Sequence, residues 1–240
     1  MKARLAGTAL AAALIIFAGY AALFIAPDEA TMHEVQRIFY FHVSAWIVCF
    51  TAFFITFLAN IAYLATRLDR WDCLAVAGAE VGVAACTIGL VTGPLWGKVV
   101  WGIWWTWDPR LTTTFVLWLL YISYLLLRGM LDEPQRRAML SAVFGIFAFL
   151  DVPLVYVSNR LWRGQHPQPV FFGAPGSGVA PIMAEVFLVC AVALLGAMIP
   201  LLLDRYRLER LRHEVDELRF HIENRATDSP PLARSKEVVS

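Results

Sequence analysis

The chain has few of the motifs that carry enzyme chemistry. It has four cysteines, Cys49, Cys73, Cys86 and Cys190, with no C-x-x-C and no C-x-x-C-H spacing. A disulfide framework and covalent attachment of a c-type haem are therefore unsupported, and the four read as small apolar packing residues. There is no glycine-rich phosphate loop, so the chain is not expected to be an ATPase itself, and there is no internal repeat. No Ser-His-Asp set, zinc-type spacing or carboxylate pair points to hydrolysis or acid–base catalysis. The net charge of +1 points to no partner, and no nucleic-acid interface is expected.

Apolar sequence is what the chain has in excess. Hydrophobic residues make up 59% of the 240 and the mean hydropathy is +0.62, against about 45–50% apolar residues in a soluble domain. Six runs reach the roughly 18–20 residues of a membrane-spanning helix, at roughly 5–26, 42–65, 73–95, 112–129, 139–158 and 180–203. The first, Leu5 to Ala26, outruns the ~7–15-residue core of a secretory signal and is expected to remain as a span. The expected fold is all-α and integral to the membrane, with six transmembrane helices. Residues 1–203 form the membrane domain, and 204–240 a short helix and disordered tail.

Charge distribution sets the expected orientation. With the N-terminus in the cytoplasm, the inner side holds fifteen Lys and Arg, eight of them in the tail, and the outer side five, Arg37, Lys98, Arg110, Arg160 and Arg163. The positive-inside rule favours this arrangement, with both termini cytoplasmic. The tail reads LERLRHEVDELRFHIENR from Leu208. Leu208, Leu211, Val215, Leu218 and Ile222 follow a 3, 4, 3, 4 spacing, an a/d seam over two heptads. A short amphipathic helix is expected, either solvated or docked on a partner or second copy, with Thr227–Ser240 disordered.

Five of the nine tryptophans fall between Trp96 and Trp107: Trp96, Trp101, Trp104, Trp105 and Trp107. Tryptophan anchors helices at the lipid–water boundary, but here Gly97, Lys98, Gly102, Asp108 and Arg110 are interleaved. Such a surface suits a flat, apolar ligand with an acidic edge: indoles stack on or edge the plate, and Arg or Lys meets carboxylates. Asp108 and Thr112 are also alternative caps for span four. His33, His42 and His166 lie on the same outer side. An isolated interfacial histidine is commonly a hydrogen-bonding residue. Beside five tryptophans, His42 and His166 become candidate axial ligands for haem iron, whereas His33 sits in an acidic loop. His213 and His221 read as surface residues of the tail. Within spans, Glu80, Asp151 and Glu185 are candidates for lining a path, pairing with Arg110 or Arg160, or staying protonated.

The run Thr92 to Thr112, TGPLWGKVVWGIWWTWDPRLT, resembles the WWD signature of haem-handling proteins in cytochrome c assembly. Six spans in 240 residues are similar to the small branch of that family, haem exporter protein C, also called cytochrome c maturation protein C. The resemblance covers residues 5–203 and leaves the helix Leu208–Arg225 outside. It implies haem b, held non-covalently and transiently at the periplasmic face of the bacterial inner membrane by two histidines. One comes from a motif like I-Y-x-H-V-P. It reads Phe39-Tyr40-Phe41-His42-Val43-Ser44 here, giving His42, with Ser44 in place of proline. The other comes from the loop before span six, where Gln165-His166-Pro167 gives His166. The implied haem-binding set is Trp96, Lys98, Trp101, Gly102, Trp104, Trp105, Trp107, Asp108 and Arg110. Implied partners are a periplasmic haem chaperone (maturation protein E), the ATP-binding-cassette subunits A and B, and small protein D. The resemblance leaves open whether the chain catalyses haem transfer onto the chaperone's histidine or only presents haem. Alternatives are a b-type electron-transfer protein, which expects ligands deep in facing spans, a subunit of a haem-to-apocytochrome synthase, and a scaffold or transporter whose tryptophans dock a partner.

Overall fold

The computed structural model describes residues 2–162, 164, 166 and 180–228. The chain runs through α1 (Lys2–Tyr20), a π-helical turn (Ala21–Ile25), a 3-10 turn (Glu34–Gln36), α2 (Arg37–Thr66), α3 (Asp69–Trp101), α4 (Pro109–Gly129), α5 (Pro134–Phe149), α6 (Asp151–Leu161) and α7 (Pro181–Asp228). Helices α5 and α6 form one interrupted rod, so six rods are long and apolar enough to cross a membrane. An even number of crossings puts Lys2 and Asp228 at one end, the terminal face. The connections 26–36 and 102–108, with Gly164 and His166, lie at the other, the loop face. The remaining loop residues, Arg163, Gln165 and 167–179, and the tail from 229 to 240 are outside the described residues.

Several helix boundaries differ from those expected from hydropathy. Pro94 is accommodated inside α3, which runs on through the first half of the tryptophan segment to Trp101. Gly102 ends it at φ 75°, in the left-handed region that glycine enters without a Cβ penalty. The fifth rod breaks at Leu150 because Pro153 lacks an N–H and its ring would meet the carbonyl of Phe149. Helix α7 does not stop where charge begins. It continues unbroken for 48 residues, so Thr227 and Asp228 are helical and the amphipathic tail is an extension of span six. Polarity marks where a helix leaves lipid, and Glu, Arg and Leu propagate it equally well in water.

Helices α2 and α3 share the most intimate interface. A Cβ at Gly78 would lie 2.6 Å from Thr56 Oγ1, at Gly82 2.3 Å from the Phe53 ring, and at Gly89 2.4 Å from the Trp46 ring. The missing side chains form a groove along α3 into which α2 inserts Thr56, Phe53 and Trp46. Without a hydrophobic drive between helices in lipid, such close apposition is what holds spans together. Phe53, seated on Gly82, stacks on Tyr121 of α4 at 3.5 Å between ring centroids. A second cluster joins α1 and α7 through Ala18, Ala22, Val186 and Cys190. All four cysteines are buried and unbridged, in keeping with a packing role.

The terminal face is held by charge. Arg128, at the end of α4, is a bidentate partner of Asp72 at 2.6 and 2.7 Å, and both are buried. Glu209 Oε1 of α7 lies 3.8 Å from the same guanidinium, and His213 Nε2 3.5 Å from Asp72 Oδ2. Glu80 pairs with Arg205 of α7 rather than with either arginine considered from sequence. Arg4 reaches Asp204 at 2.8 Å and Arg137 reaches Asp216 at 3.6 Å. The charged side of the α7 extension is thus turned inward, and Leu208, Leu211, Val215, Leu218 and Ile222 are left exposed.

Removing one member of a buried pair strands the other charge, at about 3–5 kcal/mol, whereas replacing both with apolar groups is often near neutral. Arg128→Leu is expected to lower the unfolding free energy in detergent by about that amount, and Asp72→Leu combined with Arg128→Leu to recover most of it. Equilibrium denaturant titration of the three proteins checks this.

Candidate functional site

The α3 groove continues to the loop face, where it organises the histidines. Helix α2 starts at Arg37, so His42 lies in its second turn, facing α3 at Gly93. A Cβ at Gly93 would stand 3.3 Å from His42 Cε1. One turn further, a Cβ at Gly97 would meet the Trp101 ring, also at 3.3 Å. The His166 ring packs edge-on against Trp101, with centroids 6.4 Å apart. Gly89, Gly93 and Gly97 repeat at i, i+4 and i+8, one face of a helix. Trp46, His42, Trp101 and His166 therefore follow one another along that face.

Hydrogen bonds fix the tautomer of His42. Thr92 Oγ1 donates its one proton to Ile88 O at 2.7 Å, so at 2.8 Å from His42 Nδ1 it accepts. The Trp46 indole is a donor only, and its Nε1 lies 3.1 Å from His42 Nε2. His42 is therefore neutral, protonated on Nδ1, with its Nε2 lone pair directed at Trp46. An imidazole whose Nδ1–H is anchored and whose Nε2 carries the lone pair is the form that binds metals. Ser44 is helical and buried, its hydroxyl donating to Tyr40 O at 2.5 Å. The backbone N–H of residue 44, which a proline would remove, stays available to the α2 ladder.

The tryptophans divide into two groups. Trp96 meets Trp101 edge-on at 5.0 Å, on the histidine side. Trp105 and Trp107 pack edge-on at 5.6 Å, and both lean on Phe115 of α4. Trp104 is exposed, with Lys98 Nζ 5.9 Å from its ring centroid. That ammonium also donates to Gly102 O at 2.9 Å, closing the αL end of α3. Trp107 is the most exposed of the five, at 72%. The side-chain atoms Trp105 Nε1, Thr106 Oγ1 and Thr112 Oγ1 are buried without a hydrogen-bond partner among the described residues. Buried donors of this kind are costly unless a ligand or water satisfies them.

Asp108 has two structural duties. Its Oδ1 accepts from Leu111 N at 2.8 Å, capping α4 with Pro109 at the first helical position. Its Oδ2 accepts from His166 N at 3.1 Å. Of the two candidate caps, Asp108 is the one used, and Thr112 instead gives its backbone N–H to Asp108 O. With both carboxylate oxygens taken by the protein, Asp108 holds the His166 segment to the start of α4. Arg110 Nη1 donates to Asn159 Oδ1 of α6 at 3.2 Å. His33 is exposed in the 26–36 connection at φ 50°. Beside it, the Glu29 carboxylate is held below its usual range by the N–H groups of Met32 and Thr31. Glu185 is exposed and Asp151 buried. Sequence reasoning gave no role of their own to Trp46, Thr92, Asn159 and the groove glycines, although Thr92, Gly93 and Gly97 stand in the tryptophan signature. Their signal was the four-residue repeat Gly89, Gly93, Gly97 on a helix whose partner carries Trp46 and His42 four residues apart.

Bundle and site together define a multi-pass, membrane-embeddable helical protein with two histidines and an indole-rich rim at one end. Comparison with known proteins gives its relationship. The chain belongs to the Heme exporter protein C family, whose profile matches residues 2–221. It is similar to Heme exporter protein C of Bradyrhizobium diazoefficiens, 30% identical over 82% of this chain and 74% of the relative. Heme exporter protein C of Paracoccus denitrificans is 28% identical over 85% and 84%. A ccmC-like mitochondrial protein of cytochrome c biosynthesis from Marchantia polymorpha is 26% identical over 74% and 75%. The family match reaches residue 221, so most of the α7 extension falls within it, beyond residue 203 where the sequence resemblance ended.

The double use of Asp108 sets an expectation. Asp108→Ala removes a cap worth about 1 kcal/mol together with the tether of His166. Hydrogen exchange at the amides of Leu111 and His166 is expected to accelerate about fivefold or more, while amides in the middle of α4 remain unchanged.

Proposed function

We propose that the loop face binds haem as cargo and hands it on during cytochrome c biogenesis, with His42 and His166 as its axial ligands. The observation that carries this reading is His42 itself, seated on Gly93 with Nδ1 tied to Thr92 and its lone pair on Nε2, on the same groove as His166. Family membership supports haem as the ligand, since the similar proteins are named haem exporters. The donor set suits a porphyrin: two imidazoles for the metal, indoles for the plate, and Trp105 Nε1, Thr106 Oγ1, Thr112 Oγ1 and the Arg110 guanidinium for the propionates. Lys98, Trp104 and Trp107 form the exposed rim, and Trp96, Trp101 and Gly102 shape the inner wall. The role left to Asp108 is to position His166.

For iron to reach His42, the Trp46 indole must give up the Nε2 lone pair. The site is thus closed by a weak internal hydrogen bond when no metal is bound. A face built on helix ends, with an exposed rim, suits cargo that is passed to another protein better than a redox centre that never leaves. The proposed recipient is a periplasmic haem chaperone, maturation protein E. Subunits A and B of an ATP-binding-cassette transporter and small protein D are the proposed companions. The membrane is the bacterial inner membrane, with the loop face periplasmic and both termini cytoplasmic, as the distribution of Lys and Arg favours.

The test is purification from haem-replete cells expressing the proposed partners, followed by haem titration. The wild-type protein is expected to show a Soret band, and His42→Ala with His166→Ala to lose stable haem. A double variant that keeps its Soret intensity overturns the ligand assignment. Trp46→Phe keeps an aromatic six-membered ring but deletes the competing donor, a bond worth about 1 kcal/mol. It is expected to tighten haem binding about fivefold while lowering thermal stability, because the indole atoms seated on Gly89 are lost.

A further inference from the structure

The extension of α7 exposes its apolar stripe and hides its charged one. Arg205, Glu209, His213 and Asp216 face Glu80, Arg128, Asp72 and Arg137 of the bundle. At 100° per residue this set and the Leu208–Ile222 stripe are centred about 135° apart around the helix. Leu208, Leu211, Val215, Leu218 and Ile222 are each at least 46% exposed. Lipid does not account for all of them. A helix of 48 residues is about 72 Å long, and a bilayer with its headgroups is about 40–45 Å thick. The apolar part of α7 ends at Leu203, so the stripe from Leu211 onward projects into water.

We propose that this stripe is a homotypic interface through which two copies of the chain form a parallel, two-stranded coiled coil. The heptad register puts Leu208, Val215 and Ile222 at a, and Leu211 and Leu218 at d. β-Branched residues at a with leucine at d favour two parallel strands. Topology imposes the same arrangement. Copies inserted in one membrane share an orientation, and an extension continuous with a span points the same way in each. The flanking charges alone do not choose a direction: a parallel pair sets Glu214 at g against Arg219 at e of the partner copy and Arg207 against Arg212, and an antiparallel pair sets Glu214 against Arg207 and Arg212 against Arg219. The unfavourable parallel contact, Arg207 with Arg212, is blunted because Arg207 pairs with Asp204 at 3.5 Å and Arg212 with Glu209 at 3.1 Å within each helix. Two heptads make a weak coiled coil when isolated. Here the helix is already ordered by its ion pairs, so little conformational entropy is lost on pairing, and confinement to a membrane raises the effective concentration.

The experiment is disulfide cross-linking of the full-length protein in isolated membranes. Leu211→Cys and Leu218→Cys are expected to yield covalent dimers, and Arg210→Cys, on the flank at c, several-fold less. The four native cysteines are buried and give the background. Glu214→Arg is expected to reduce cross-linking through position 218 several-fold, and adding Arg219→Glu to restore it. Light scattering in nanodiscs is expected to report a dimer for the wild type and a monomer for Leu211→Glu with Leu218→Glu, with thermal stability retained. Three results would overturn the proposal: equal cross-linking at 210, 211 and 218, no rescue by the charge swap, or adducts formed only with a different polypeptide.

Discussion

The place of His42 at the loop face depends on how closely α2 and α3 approach. That approach is set by atoms α3 does not have. At Gly82 and Gly89 an added Cβ would overlap an aromatic ring at under 3 Å, so any larger residue must move the buried Phe53 ring or the half-buried Trp46 ring of α2. At Gly93 the ring is His42. The imidazole is positioned by the same groove that seats Phe53 and Trp46 deeper in the membrane, and fold and site are one piece of packing. Thr92 belongs to this geometry as well. Its hydroxyl is turned back onto the α3 carbonyl of Ile88, which commits its proton and dictates which nitrogen of His42 carries one.

The opposite end is governed by a different force. Asp72, Arg128 and Glu209 form a buried charged cluster with half-buried His213 beside it, and such clusters are weak sources of net stability because desolvation offsets attraction. What they supply here is rotational placement. An apolar interface between α7 and the bundle would tolerate sliding, whereas pairs to α1, α3, α4 and α5 at successive turns fix the angle of α7 about its axis. That angle decides which stripe is hidden. With the charges satisfied inside, the leucines point outward, the reverse of an ordinary surface helix.

The spans and the tryptophan segment were legible because hydropathy and residue clustering are local signals. Asp108 was legible as one of two caps, because a side chain that accepts from the backbone three residues on leaves a recognisable pattern. Four features were not. The partner of Glu80 is Arg205, 125 residues away, and no local rule selects it over Arg110 or Arg160. The continuity of α7 beyond residue 203 was missed because a hydropathy window detects lipid, not helix. The glycines of α3 were passed over because a glycine's meaning depends on what the facing helix brings, and only the pairing of Trp46 with Gly89 and of His42 with Gly93 gives it one. The tail seam was found but not its direction, since amphipathicity reports two faces without saying which is covered.

On the proposed reading of the loop face, the contact between Trp46 and His42 bears on how a ligand face can also be a release face. A buried imidazole lone pair left unsatisfied costs about 1–3 kcal/mol, and that penalty would add to the grip of any metal relieving it. With the indole N–H supplying a partner, the ligand-free state is not penalised, and binding must replace a bond worth about 0.5–1.5 kcal/mol. Affinity falls by roughly two- to twelvefold for each histidine so engaged. A face meant to keep its ligand would gain by leaving the lone pair open. One meant to surrender it gains by having a substitute four residues away on the same helix, ready to take the nitrogen back as the metal departs.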